Sequence, residues 1–349
     1  MMNENANFKG KRTVVVVGCT VLALLILIGA GVFLWIDQTL NLINRDTSTD
    51  VTLSAEEIES ILNETEPDAQ EVPSVTIDVE ETAPSTEVAE VIEEDDLILN
   101  VLLIGQDRRE NQARQRSDTM ILCSVNLKEK KLVLTSFLRD TFVTIPSWEG
   151  VNYGSNRLNV CYPIGGMEML DQCLTDNFGV VVDYNVEVDF FSFEKIVDIM
   201  GGVDIELTQD EATYLNYIAG LGNYLQEGMN HLDGYMALEY SRIRKLDSDF
   251  GRTDRQRKVL LALMENVKTL SLSEVVDIIV EVFPMITTDM SNGAIYNFAV
   301  KVLPVLSELQ VTTQHIPADG TYLYGQIPGM AAIAADMKAN RQILKDTIG

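Results

Sequence analysis

Histidine is nearly absent. His231 and His315 are the only two, and they lie far apart in a chain of 349 residues. A His-rich metal centre or a Ser-His-Asp triad is hard to build from them, so each reads as structural. Cysteine is scarce as well. Cys19 sits in an apolar run, and Cys123, Cys161 and Cys173 form an odd set that defines no framework. Cys123 reads as a small buried hydrophobe in a strand pattern. Spacing alone leaves a Cys161–Cys173 disulfide open. Between Arg45 and Arg108 there is no Lys or Arg, and between Asp50 and Asp96 no aromatic residue. Such a segment cannot bury enough apolar surface to fold alone. Positive charge is short overall: the formal net charge is -27. That excludes nucleic acid as an expected partner, because its phosphates would be repelled.

What is present begins with one long apolar run. Residues 13–36, TVVVVGCTVLALLILIGAGVFLWI, carry no charge over 24 positions. At ~1.5 Å per helical residue the run exceeds the ~30 Å hydrocarbon core of a bilayer. Lys9, Lys11 and Arg12 precede it, and Asp37 follows. The positive-inside rule then places residues 1–12 in the cytoplasm and everything after the run outside the cell. The run is longer than a signal-peptide core and ends in Phe33-Leu34-Trp35, which suits a retained single-pass anchor. Residues 37–96 read as an acidic, disordered extracytoplasmic stalk whose like charges extend it. Within it Ser54 and Glu57 offer a capping box for a short helix.

Residues 97–349 read as one folded catalytic domain. Strands are expected at 97–104, 120–126, 132–138, 184–190, 203–207 and 311–316. Helices are expected at 166–177, after a Ser192 cap, within 213–225, at 234–242 and 255–270, and in three later segments. Alternating strands and helices over about 250 residues indicate a three-layer α/β/α domain around a mixed central sheet.

Of 14 arginines, 11 fall between Arg108 and Arg257. The stretch YSRIRKLDSDFGRTDRQRK holds Arg242, Arg244, Arg252, Arg255 and Arg257. A guanidinium is a planar fork that matches phosphate oxygens bidentately, so several forks together suggest a polyanion gripped at several points. The plainer reading is a solvated basic face paired to acidic neighbours. Asp107, Arg116 with Asp118, and Arg139 add three further segments at the ends of buried strands, where open α/β sheets place ligands. Carboxylates without histidine suit a hard cation such as Mg²⁺. Such an ion bridges phosphate oxygens while arginines neutralise charge on the leaving phosphate.

The ordered motifs NVLLIGQD, RSDTMIL, SFLRDTFVTIP, NRLNVCY, VDFFSFEKIVDIMGGVDI, HLDGYMALEYSRIR and DFGRTDRQRK resemble those of the LytR–CpsA–Psr proteins. The resemblance runs from about Asn100 to Lys268, and more weakly beyond. It implies an extracytoplasmic bacterial transferase that moves a glycopolymer, such as teichoic acid or capsule, from a polyprenyl pyrophosphate carrier to peptidoglycan. It implies Asp107 and Asp118 as Mg²⁺ ligands, and Arg116, Arg139, Arg242, Arg244, Arg252 and Gln256 as the pyrophosphate grip. It also implies catalytic roles for Arg139, Arg244 and Asp249, with Asp249 as base for the acceptor hydroxyl. The competing role for Asp249 is to orient an arginine, since guanidinium neighbours weaken a carboxylate as a base. Gln106 stands where relatives often have a hydroxyl. A polyprenyl pyrophosphate hydrolase and a non-enzymatic receptor for wall polymers are the two alternative functions.

Overall fold

The computed structural model describes residues 34–46, 53–63, 89–92, 97–106, 108, 114–327 and 330–349. The chain forms two units, one ending at Ile43 and the other running from Asn44 to Gly349. In the first, residues 34–40 are helical, and Thr39 Oγ1 donates to the Trp35 carbonyl at 2.9 Å. Most of the apolar run, 13–33, lies outside the described residues. Among those described, no helix is long and apolar enough to cross a membrane.

The second unit has thirteen strands among the described residues. They are β1 (Asn44–Arg45), β2 (Ile98–Gln106), β3 (Ser117–Asn126), β4 (Lys131–Phe137), β5 (Phe142–Thr144), β6 (Ser155–Arg157), β7 (Tyr184–Asp189), β8 (Val203–Leu207), β9 (Gly228–Leu232), β10 (Thr287–Thr288), β11 (Gln310–Ile316), β12 (Tyr322–Ile327) and β13 (Met330–Ala335). Its helices are α1 (Ala55–Asn63), α2 (Cys161–Phe178), α3 (Phe190–Ile199), α4 (Gln209–Ala219), α5 (Gly234–Arg242), α6 (Asp249–Thr269), α7 (Leu272–Val282), α8 (Asn292–Val302) and α9 (Met337–Ile348).

A mixed seven-stranded sheet in the order β1-β10-β7-β2-β3-β4-β11 forms the centre. β2 runs antiparallel to β3 and parallel to β7; β4 runs antiparallel to β3 and parallel to β11. Side chains alternate along these strands, as a two-residue repeat requires. Leu102, Ile104, Met120 and Leu122 face one core with α2 and α9. Leu99, Ile121, Val125, Leu132 and Leu134 face another, closed by Leu260, Leu261 and Met264 of α6 and Val302 of α8. Helices therefore cover both faces, which explains why the central strands read as continuous aliphatic runs. A third apolar cluster joins α3–α6 to β8 and β9.

Several helices start earlier than the sequence pattern indicates. Asp189, not Ser192, caps α3: its carboxylate accepts from the Ser192 N–H at 2.8 Å. α4 begins at Gln209 behind a Thr208–Glu211 capping box. α6 begins at Asp249 rather than Arg255, with Ser248 as its cap. Arg252, Arg255 and Arg257 thus lie in the first turns of a 21-residue helix, while Arg244 precedes it. α2 is kinked at Gly166, whose φ of 66° only glycine adopts without strain. Within α2, Cys161 and Cys173 are buried free thiols. The β12–β13 hairpin has no counterpart in the sequence reading, because its apolar alternation is broken by Gly325 and small alanines.

The span read as a stalk contributes three segments to the domain. Asn44–Arg45 joins the sheet edge through β10. Ala89 and Ile92 donate to the carbonyls of Asp176 and Gly179 at 2.8 Å each. α1 carries its expected Ser54–Glu57 cap and lays Ile58, Ile61 and Leu62 on the main core. Aliphatics spaced three and four apart give that short acidic helix one apolar face, and this face docks despite the surrounding charge.

Candidate active site

The directions of the strands bring the carboxyl ends of β2, β4, β7 and β11 and the amino end of β3 to one sheet edge. That edge receives the N-terminus of α6. Asp118 lies at the start of β3, and Arg139 two residues past the end of β4. Arg139 Nη1 donates to Asp118 Oδ1, and its Nε lies 3.8 Å from Asp140 and 4.0 Å from Asp249. Arg252 follows Asp249 by nearly one helical turn, so the two meet on one face of α6 at 2.9 Å. Arg252 Nη2 also donates to the Asp118 carbonyl at 3.2 Å. Arg244 Nη2 reaches within 4.0 Å of Asp118 Oδ1. Arg139, Arg244 and Arg252 thus converge on Asp118 and Asp249 from three separate segments.

Both Arg139 and Arg252 are buried. Burial pulls Arg252 down to about 10, opposed by Asp249, so it keeps its charge at neutral pH. Burial pushes the Asp140 carboxyl up; Arg139 opposes this and the negative Asp249 adds to it. Arg157 Nη1 lies 3.7 Å from Asp140 on its other side.

The remaining expected residues divide. Arg116 is buried beside Asp118 in sequence and donates through Nη2 to the Ile61 carbonyl at the end of α1. Gln256 lies one turn beyond Arg252, and its Oε1 is buried without a hydrogen-bond partner among the described residues. Arg242 stands apart from these contacts: it pairs with Glu239 at 3.2 Å and lies over the Phe190 ring at 5.1 Å. Asp107 lies outside the described residues. Arg255 has the plainer, structural role, tying Glu211 (2.7 Å), Asp247 (2.6 Å) and the Ile243 carbonyl (3.1 Å) together. Gln106 is fully buried; its amide donates to Glu187 and accepts from the Gln115 N–H at 2.9 Å. It pins both ends of the loop that follows β2.

Sequence reasoning passed over Asp140, Asn159, Arg157 and Tyr324. Asp140 was visible in the Arg139-Asp140 pair, but nothing local marks it as buried. Asn159 is wholly buried, donates its backbone N–H to the Arg139 carbonyl at 3.2 Å, and keeps an amide without partners among the described residues. A buried amide left unsatisfied is costly, so such a group beside the clamp suits a ligand or a water.

Neither histidine belongs to this site's chemistry. His231 Nδ1 meets Asp204 at 2.8 Å on the β8–β9 hairpin, and His315 Nδ1 donates to the Pro317 carbonyl at 2.7 Å. Among the described residues no group of three or more His, Cys, Asp or Glu is placed to hold a metal. Asp118 nevertheless offers suitable chemistry. Among the described residues Arg139 and Arg244 approach it at Oδ1, and a carboxylate has a second oxygen to offer a hard cation.

A clustered guanidinium grip beside carboxylates, at the edge of a mixed sheet, can hold a pyrophosphate and stabilise a phosphate as it leaves. The LytR_cpsA_psr family model matches residues 60–345. The chain belongs to this family. The match begins within α1, in keeping with the docking of that helix on the domain. Among relatives, the polyisoprenyl-teichoic acid–peptidoglycan teichoic acid transferase TagU of Oceanobacillus iheyensis is 30% identical over 275 residues, 75% of this chain and 73% of the relative. The TagT transferase of Bacillus subtilis is 34% identical over 187 residues, 52% of this chain and 56% of the relative. A solved structure described as TagT bound to LIIa-WTA superposes with a TM-score of 0.59 at 27% identity, covering 76% of this chain and 96% of that one.

Proposed function

We propose that this LytR_cpsA_psr protein is a transferase that moves a teichoic-acid-like glycopolymer from a polyprenyl pyrophosphate carrier to peptidoglycan, at the outer face of the cell membrane. The convergence of Arg139, Arg244 and Arg252 on Asp118 and Asp249 carries this reading. The names of its relatives supply the substrate class. The apolar run 13–36 with its basic flank supports the membrane location.

In the reaction a hydroxyl oxygen of the acceptor glycan attacks the phosphorus joined to the polymer. A new P–O bond forms, the bridging P–O bond breaks, and the electron pair leaves on polyprenyl phosphate. The hydroxyl proton passes to a carboxylate, the role this reading gives to Asp249, the first residue of α6. Arg139, Arg244 and Arg252 balance the charge that gathers on the leaving phosphate, and Arg116 and Gln256 extend the grip. Preorganised charge of this kind supplies most of the rate in phosphoryl transfer, with little covalent work for the protein. Asp118, with Asp107, would hold Mg²⁺, which supplies Lewis-acid stabilisation of phosphate oxygens when bound.

The test uses the purified full chain with a short polyprenyl pyrophosphate-linked saccharide, Mg²⁺ and peptidoglycan oligomers, following saccharide joined to the glycan. Arg244→Ala should lower attachment about 10²–10³-fold, the usual cost of one preorganised donor. Asp118→Asn should do likewise and abolish the response to Mg²⁺ added after chelation. Release of polyprenyl phosphate at full rate without acceptor would instead make the protein a hydrolase. Lipid binding with no chemistry across several acceptors would make it a receptor.

A further inference from the structure

We propose that one face of the β12–β13 hairpin, carrying Tyr322, Tyr324 and Gln326, is the track that seats the neutral glycan strand of the peptidoglycan acceptor. This rests on the transferase reading and adds the second substrate's binding surface to it.

The hairpin register fixes which residues share that face. Tyr324 stands opposite Ile333, and Gln326 opposite Ala331. Alternation puts Tyr322, Tyr324 and Gln326 together, while Ile327 on the other face joins a small core with Phe142, Ala332 and Ala334. The tyrosine face adjoins the catalytic edge at two points. Tyr322 stacks on Phe250, the residue after Asp249, with ring centroids 4.6 Å apart and planes 21° from parallel. The Phe250 ring in turn meets His315 edge-on at 4.9 Å. Next to Tyr324, Ile333 donates its N–H to the Asp140 carbonyl at 2.9 Å. Asp140 and Asp249 raise the Tyr324 phenol after burial has done so, which agrees with that placement. The tyrosine face therefore borders the catalytic edge through both rings, Tyr322 at Phe250 and Tyr324 at Asp140 and Asp249.

The chemistry of the track suits a sugar. Half-buried aromatic rings offer faces to the C–H surface of a pyranose, and the phenols and the exposed Gln326 amide offer partners for its hydroxyls. Charge decides which of the two saccharide substrates it takes. No Lys or Arg occurs on the hairpin itself from Thr321 to Asp336; Asp140, Asp249, Arg139 and Arg157 act on Tyr324, and Asp319 acts on Tyr322. A phosphate-rich teichoic acid chain finds no cation on the hairpin to pair its charges along its length, while an uncharged glycan backbone needs none. The donor's phosphates have the arginines; the acceptor has the tyrosines.

The experiment measures binding of soluble peptidoglycan glycan oligomers and of a short polyprenyl pyrophosphate separately, by calorimetry on the full chain, together with attachment kinetics. Tyr322→Leu, Tyr324→Leu and Gln326→Ala are compared with the conservative Tyr322→Phe. The expected result is weaker oligomer binding and a higher acceptor KM, about tenfold for each Leu variant, with pyrophosphate affinity within about twofold of the parent. Tyr322→Phe should retain most of the affinity, which separates loss of the ring face from a folding defect. Unchanged oligomer binding in all three variants overturns the proposal, and so does a loss confined to the donor. A parent chain that binds oligomers through these residues but transfers nothing would sink the transferase reading and leave the glycan site standing. A parent that transfers while the variants bind oligomers normally would do the reverse.

Discussion

Asp171 of α2 accepts from the Asn185 amide at 2.7 Å, and that amide also serves Asp289 at 2.9 Å. Burial pushes the Asp171 carboxyl up to about 8; the Asn185 bond opposes the rise, and Asp289, Asp46 and Glu168 add to it. The folded protein therefore holds this proton more tightly than the unfolded chain does. Stability falls as pH rises from the ordinary carboxylate range near 4 to about 8, and the loss is complete above that. Asp171→Asn keeps an acceptor for Asn185 and removes the charge. Its Tm should exceed the parent's at pH 8–9, by roughly 2–4 °C per kcal/mol recovered, and match it at pH 4, as read by thermal scans across pH. Asp171 shows the limit of reading single residues. An acidic residue on a helix reads as solvent-facing until the packing of β7 and the β10 loop against it is known. The same holds for Asp140 and Asn159, whose letters carry no sign that they are buried beside Arg139. Arg139, Asp118 and Asp249 were legible because they sit in motifs at strand or helix ends.

Among the elements, α5 shows most clearly how packing sets the site. Gly234 opens the helix behind its Asp233 cap and donates to Asp198 of α3 at 2.7 Å. A Cβ there would lie 2.0 Å from the Glu194 carbonyl oxygen, a backbone atom that cannot step aside without moving α3. Gly234→Ala should cost roughly 1–3 kcal/mol by overpacking. It should also lower transfer, because α5 leads through Ile243 into Arg244. Chemical denaturation and the attachment assay on the same sample check both. A variant with parental stability would mean that α3 and α5 slide apart more easily than their contacts indicate. Element type was largely legible from periodicity, and the α5 bounds matched. Starts were less so, because a cap is a side-chain contact: Asp189 and Ser248 compete with equally good neighbours until the backbone direction is fixed. For α6 the difference matters, since it puts Asp249 and Arg252, which the sequence left unassigned, onto one helical face.

At the scale of the whole molecule, charge and hydropathy are strongly segregated. An uncharged 24-residue run precedes a segment with 17 acidic residues and no basic one, from Asp50 to Asp96. The full chain should fractionate with membranes and resist extraction by high salt, whereas a chain beginning at residue 37 should be soluble; ultracentrifugation decides between these outcomes. Salt-labile membrane association of the full chain would point to surface attachment instead. The acidic segment is not uniform in structure, because α1 and the Ala89–Ile92 strip dock on the domain. Composition averaged over 47 residues hides a nine-residue helix whose Ile58, Ile61 and Leu62 form an apolar face.

The sequence by itself determined the class of fold and the order of most strands and helices, and it pointed to Arg139, Arg244, Arg252, Asp118 and Asp249 but not to Asp140 or Arg157. Those follow from local periodicity and from functional groups that few residue types can supply. Only the tertiary structure decided which arginines act together. Arg139, Arg244 and Arg252 converge while Arg255 turns inward to Asp247 and Glu211, because sheet register and helix phase set where each side chain points. It also brought the C-terminal hairpin, more than 70 residues beyond Asp249 at its start, against the catalytic edge through the Tyr322–Phe250 stack. Contacts between segments so distant leave no mark on local pattern, since their energy comes from surfaces that meet only after the chain has folded.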